Sequence, residues 1–127
     1  MEYATLIVLL ALVQYVWFTM RTGMAREKYN IKAPACSGDE AWERLFRVQQ
    51  NTLEQLIVFI PACYAFAWFM SPLWALILGV VFIIGRFLYS AEYVKDPKTR
   101  VLGMMLTFLP NGALIAGALF GLIKGML

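Results

Sequence analysis

Three long stretches of this chain lack charge, and that absence constrains the fold more than any other feature. Tyr3 to Met20 is 18 residues, Gln55 to Gly85 is 31 and Val101 to Ile123 is 23, and none contains Asp, Glu, Lys, Arg or His. A helix crosses a bilayer with about 20 mostly apolar residues. The composition agrees: 61% of residues are apolar, 15% are charged and the mean hydropathy is +0.68. Soluble domains carry about 25% charged residues. The expected fold class is therefore all-α, an integral membrane four-helix bundle formed by one domain over residues 1–127. Helices are predicted over about 2–24, 39–70, 72–95 and 97–124. The first is read as a span and not a cleaved leader. It has no basic segment ahead of its apolar run, and "RTGMAREKY" follows where a small-residue cleavage site would stand.

The net charge of +3 follows topology and is not a nucleic-acid signature. Arg21, Arg26, Lys28, Lys32, Arg44 and Arg47 fall in or beside the first loop, and Lys95, Lys98 and Arg100 surround the third. The second loop has no basic residue, and Lys124 stands near the C-terminus. The positive-inside rule then puts loops one and three in the cytoplasm and both termini on the other side. The chain has no histidine, and Cys36 and Cys63 have neither metal-ligand nor CxxC spacing, so no metal is expected.

Local punctuation divides the apolar runs. Ser37 and Glu40 fit a capping box, with the second helix beginning near Asp39. Ser71–Pro72 reads as an N-cap followed by proline at the first helical position, which makes the second connection a tight hairpin. Asp96–Pro97 repeats the device for the fourth helix. Pro61 and Pro110 fall mid-helix and predict kinks.

The polar residues inside these helices fall at one level. Glu54 lies 16 residues before the hairpin at residue 70 and Arg86 lies 14 after residue 72. Those separations are roughly 24 and 21 Å along the helices. Arg47, Asn51 and Glu54 fall within about 60° of one another on the second helix, and Arg86, Tyr89 and Tyr93 form one stripe on the third. A charge at the bilayer centre costs about 2.5–3.5 kcal/mol on insertion scales, so such groups face the bundle interior or a wet cavity. Two readings fit. In one, Glu54 is a structural ion-pair partner, the arginines snorkel and the tyrosines belong to an interfacial belt. In the other, the excess of Arg47, Arg86 and Arg100 over a single carboxylate marks a site for an anionic ligand. The surplus charge favours the second.

At these residues the chain resembles a known family. "RVQQNTLEQ" at 47–55 and "GRFLYSAEYVKDPKTR" at 85–100 are similar to the membrane-associated proteins in eicosanoid and glutathione metabolism, the MAPEG family. The similarity is to the branch of microsomal glutathione transferases and leukotriene-C synthase. It covers nearly the whole chain, and R-x-Q-x-N-x-x-E followed by R-x-x-Y-x-x-x-Y and an arginine is its most specific part. The resemblance implies a homotrimer in the bilayer with glutathione as co-substrate, bound between subunits near the cytoplasmic side. By matching position, it implies that Arg47, Asn51, Glu54, Tyr89 and Tyr93 hold glutathione from one subunit, with Arg86 supporting. Arg26 and Gln49 come from the neighbour, and Arg100 stabilises the thiolate as the catalytic residue. The partner is a lipophilic electrophile that enters from the bilayer. The chemistry is consistent: arginines suit the carboxylates of glutathione, and Glu54 suits its ammonium. A nearby cation lowers a thiol pKa from about 8.5.

The chain departs from the family pattern at three positions. Gln55 stands where close relatives carry an aromatic residue, Glu92 where they often carry glycine, and Glu27 where the leukotriene branch has a second arginine. The expected function is a membrane glutathione transferase, with glutathione-dependent peroxidase activity left open. The membrane is either a bacterial inner membrane or of endoplasmic type. Two rivals are a non-catalytic lipid-binding or scaffold member of the family and a small four-helix drug exporter. Such exporters use a lone membrane carboxylate in helix one, and here that helix offers Gln14.

Overall fold

The computed structural model describes residues 1–96 and 100–127. It consists of four helices: α1 Glu2–Lys28, α2 Glu40–Phe69, α3 Pro72–Lys95 and α4 Val101–Met126. All four are long and apolar enough to cross a membrane. The central pair, α2 and α3, packs on each other and on both outer helices, whereas α1 and α4 pack mainly on that pair.

The helix ends follow local chemistry. Asp39 Oδ1 accepts from the N–H groups of Ala41 and Trp42 at 2.9 and 3.2 Å, so Asp39 is the N-cap of α2. The expected capping box is thereby corrected. Ser37 stands outside the helix, and Glu40 instead pairs with Arg44 at 2.7 Å one turn on. At the hairpin, Ser71 Oγ accepts from Trp74 N–H at 3.3 Å, and Pro72 occupies the first turn, as expected. The first helix runs four residues further than expected, because its polar last turn remains helical until Asn30 turns left-handed at φ 57°. Asp96 closes α3, its N–H donating to Glu92 O at 2.8 Å, and Arg100 is the residue before α4. The expected helix start at Pro97 lies outside the described residues. Both α2 and α4 continue through their prolines.

The interior is a stack of aromatic and aliphatic groups centred on Phe59 and Phe82, whose rings lie parallel at 4.2 Å. Large apolar residues also cover the outside: Ile57 is 68% exposed and Trp68 72%. In water that surface would drive aggregation; against lipid tails it is the expected exterior. The chain is a multi-pass membrane protein on this evidence. At 30 residues α2 is the longest helix, about 45 Å at 1.5 Å per residue. That exceeds a hydrocarbon core of about 30 Å, so one end of α2 stands clear of it. The hairpin fixes the opposite end, so the overhang is the N-terminal part, which carries Trp42, Glu43 and Arg44.

Candidate functional site

The polar groups of α2 and α3 are arranged in two layers. The inner layer is built on Arg86, which is only 1% exposed. Its Nη2 donates to Asn51 Oδ1 at 2.7 Å and to Thr52 Oγ1 at 3.1 Å, and its Nη1 donates to Thr107 Oγ1 at 3.3 Å. One guanidinium thus ties α2, α3 and α4 together. The two threonines can accept because each spends its own proton one turn back. Thr52 donates to Val48 O at 2.7 Å and Thr107 to Gly103 O at 2.9 Å. The face of Arg86 covers Tyr89, 4.4 Å from the ring centroid, and Tyr89 in turn stacks on Tyr93 at 5.3 Å. The sequence stripe Arg86–Tyr89–Tyr93 is therefore a continuous column running outward along α3. Gly103 lets α4 close on that column, since a Cβ there would collide with the backbone of Tyr89.

The outer layer is looser. Arg47 and Glu54, two turns apart on α2, pair at 3.4 Å with side chains 47% and 56% exposed. A pair of that kind contributes about 0–1 kcal/mol, so a ligand offering its own carboxylate and ammonium can replace it. Arg47 and Tyr93 also line an open cleft of about 400 Å³ with Cys36, Glu43, Arg44 and Phe46. A cleft of similar volume between α2 and α4 is lined by apolar side chains and offers no chemistry of its own. Arg100, half-buried at the start of α4, and Arg47 both lie within electrostatic reach of Tyr89. Five expected residues on α2 and α3 (Arg47, Asn51, Glu54, Tyr89 and Tyr93) and Arg86 thus occupy one region of one chain, with Arg100 at its edge.

Two expected residues are not brought there. Arg26 lies on α1, stacks on Trp42 at 4.6 Å and donates to Ala35 O at 2.8 Å. Gln49 is half-buried on α2, about 160° round the helix from Arg47. Neither reaches the Arg47 layer of its own chain.

Several residues that shape the site were not singled out from sequence. Thr52 and Thr107 hold Arg86, and nothing in their spacing reveals it. Trp42 is fully buried and donates from Nε1 to Thr22 O at 3.0 Å, which fixes the base of α2 against α1 beneath Arg26. Arg44 reaches the last carbonyls of α3, Val94 O at 3.4 Å and Lys95 O at 3.3 Å. Its i,i+4 spacing from Glu40 was the available signal. The departure at Gln55 also has a structural use: its backbone and side-chain oxygens accept from Asn111 Nδ2 at 3.5 and 3.3 Å, one turn beyond the Arg86 layer. Gln14 donates to Ile83 O at 2.9 Å and packs α1 on α3. No cluster of potential metal ligands occurs among the described residues.

Residues 4–120 match the MAPEG family. An uncharacterized protein of Synechocystis sp. is 40% identical over 121 residues, 95% of this chain and 88% of that protein. Microsomal glutathione S-transferase 2 of Homo sapiens is 36% identical over 99 residues, 78% of this chain and 67% of the human one. Leukotriene C4 synthase of Bos taurus is 23% identical over 121 residues, 95% of this chain and 81% of the bovine one.

Proposed function

This chain belongs to the MAPEG family, and from that premise we propose that it is a membrane glutathione transferase that binds glutathione on the outer polar layer and conjugates it to lipophilic electrophiles. The observation that carries the reading is the pairing of Arg47 with Glu54 beside Tyr93, on a scaffold fixed by Arg86. The two charges match a ligand that carries carboxylates and an ammonium, and their mutual pair is weak enough to be exchanged. Arg47 takes a glutathione carboxylate and Glu54 the ammonium. Asn51, with its oxygen held by Arg86, offers its amide N–H groups to the peptide. Arg86 itself is sealed and acts as a positioning residue. Tyr89 and Tyr93 form the wall of the site on α3.

Arg100 is the proposed catalytic residue. Arg100 is the residue at the N-terminal, positive end of α4, where both its charge and the helix dipole would favour a thiolate. The thiol gives its proton to water, and the thiolate forms a sulfur–carbon bond with the electrophile, whose leaving group departs with the bonding electrons or whose ring opens to an oxyanion that water protonates. Because arginine stays protonated across the working range, it stabilises the anion and does not act as the base.

Arg26 and Gln49 lie apart from the Arg47 layer of their own chain, which supports their being donated to a neighbour's site in a homotrimer. A native mass in mild detergent near three times 14.4 kDa is expected after subtraction of bound detergent. A clean monomer that still binds glutathione would contradict the shared site. The basic first and third loops support a cytoplasmic placement of the site. The reading as a whole is tested by titrating glutathione into the purified chain and following thiolate absorbance, then adding a panel of electrophiles. Saturable thiolate formation followed by its consumption is expected. Binding without thiolate would favour the non-catalytic alternative.

A further inference from the structure

A second face of α1 carries charge that the glutathione site does not use. Leu10, Gln14, Trp17, Arg21 and Lys28 fall within about 60° of one another at 100° per residue. Arg26 lies about 140° from Arg21, on a different face. Beside this stripe, α1 and α3 enclose a cleft of about 380 Å³ with walls from Leu10, Val13, Trp17, Val80, Ile84 and Phe87. At the end of the stripe, Arg21 Nη2 donates to Ser90 Oγ at 2.8 Å and its guanidinium lies 5.1 Å from the centre of the Phe18 ring. Arg21 Nε is buried without a partner. Arg21 and Lys28 form no ion pair among the described residues.

The levels along the helix are informative. Arg21 is 19 residues beyond Glu2, roughly 28 Å along α1, and the hydrocarbon core is about 30 Å thick. The apolar cleft therefore lies at the depth of acyl chains. Arg21 lies at the depth of headgroups, and Lys28 lies two turns beyond. Ser90, on α3, is at the same level as Arg21 and holds the guanidinium in place. A basic pocket between membrane helices beside an acyl-depth groove is complementary to an anionic lipid.

We propose that the α1–α3 face is a binding site for an anionic phospholipid, with its phosphate at Arg21 and one acyl chain in the cleft. Lys28 adds longer-range attraction. The site adjoins the catalytic scaffold: Phe18, under Arg21, packs in the same buried cluster as Tyr89, and Ser90 follows Tyr89 on α3. The lipid would thus brace α1 against the helix that carries the tyrosine column.

Trp17 is a built-in reporter because it lines the cleft. The whole chain is reconstituted in phosphatidylcholine vesicles holding a small fraction of either phosphatidylglycerol or phosphatidylcholine with brominated acyl chains. The Trp17 signal is the emission of the native chain minus that of Trp17→Phe. Brominated phosphatidylglycerol is expected to quench it with an apparent affinity about fivefold to tenfold above that of brominated phosphatidylcholine. In Arg21→Gln the ratio is expected to fall close to one, and Arg21→Lys should restore part of it. Lys28 is exposed, so Lys28→Gln is expected to fold and to lower the ratio by about twofold, as should raised salt. These two readings stand even if Arg21→Gln fails to fold. A ratio near one in the native chain overturns the proposal, as does a ratio that neither Arg21→Gln, Lys28→Gln nor salt reduces. Trp17 emission that no brominated lipid quenches would place this face against another copy and also overturn it. A brominated fatty acid that binds where phosphatidylglycerol does not would reassign the site to a free carboxylate, against the proposal.

Discussion

The Arg86 layer and the Arg47–Glu54 layer contain similar chemistry and behave as opposites. Arg86 is sealed, with three hydroxyl or amide acceptors supplied by two other helices. Arg47 and Glu54 are half exposed and hold each other across 3.4 Å. The first arrangement fixes helices, because both terminal nitrogens of the guanidinium find acceptors on other helices, and Nε alone is buried without a partner. The second leaves its charges available, because water already competes for them. An arginine in a membrane bundle is thus fixed in place or left available by its partners and exposure, not by its residue type.

Breaking the inner layer should have the largest effect. Arg86→Leu removes the donors that satisfy Asn51, Thr52 and Thr107, and a destabilisation of about 3–5 kcal/mol is expected. Unfolding in a mixed detergent series checks it, and glutathione binding should be lost together with the fold. Arg86→Lys should be intermediate, since one ammonium cannot reproduce the planar fork. If Arg86→Leu folds normally and loses only glutathione, the inner layer belongs to the ligand and the contrast fails.

Glu54→Gln sharpens the contrast from the other side. It should weaken glutathione binding by about 1.5–3 kcal/mol, the range for hydrogen bonds to charged groups. Stability should change by less than about 0.5 kcal/mol, as for exposed substitutions. Calorimetric titration and unfolding of the same preparation measure both. Unchanged affinity with loss of assembly would return Glu54 to the structural ion-pair reading.

Arg44→Ala should give the smallest effect. It removes the exposed pair to Glu40 and the long contacts to Val94 O and Lys95 O. A loss below about 1 kcal/mol is expected. Diminished further in raised salt, it would mark Arg44 as a surface strap over the end of α3. A loss as large as that of Arg86→Leu would show that layer and exposure do not decide the outcome.

The spans were largely legible in the sequence, but this contrast was not: Arg86 counted toward the surplus of charge together with Arg47 and Arg100, whereas it is buried on Asn51, Thr52 and Thr107. Charge-free runs reveal membrane spans because the penalty for an ionised side chain in hydrocarbon does not depend on which helix carries it. The Ser71–Pro72 hairpin was legible because both residues act through their own backbone and side chain. The choice between Ser37 and Asp39 as a cap was not, since two suitable oxygens lie within three residues and only the path of the chain selects one. Helical spacing aligned Arg86 with Tyr89 and Tyr93. It could not show Thr52 and Thr107 meeting Arg86, which depends on the rotation of α2 and α4 about their axes. Nor could it show the approach of Gly103 to Tyr89, because glycine serves equally well where nothing comes near, as at Gly112.

The most direct test of glutathione activation is the pH dependence of single-turnover conjugation in Arg100→Ala, with thiolate absorbance read in parallel. Arg47 and Glu54 remain in the variant, so glutathione should still bind. Without the cation, the pKa of the bound thiol should rise toward its free value, about 8.5 for an ordinary thiol. The thiolate fraction and the rate should then fall most near neutral pH and recover in part as the pH is raised through that range. A variant that keeps both the native thiolate fraction and the native rate at neutral pH would contradict the role assigned to Arg100.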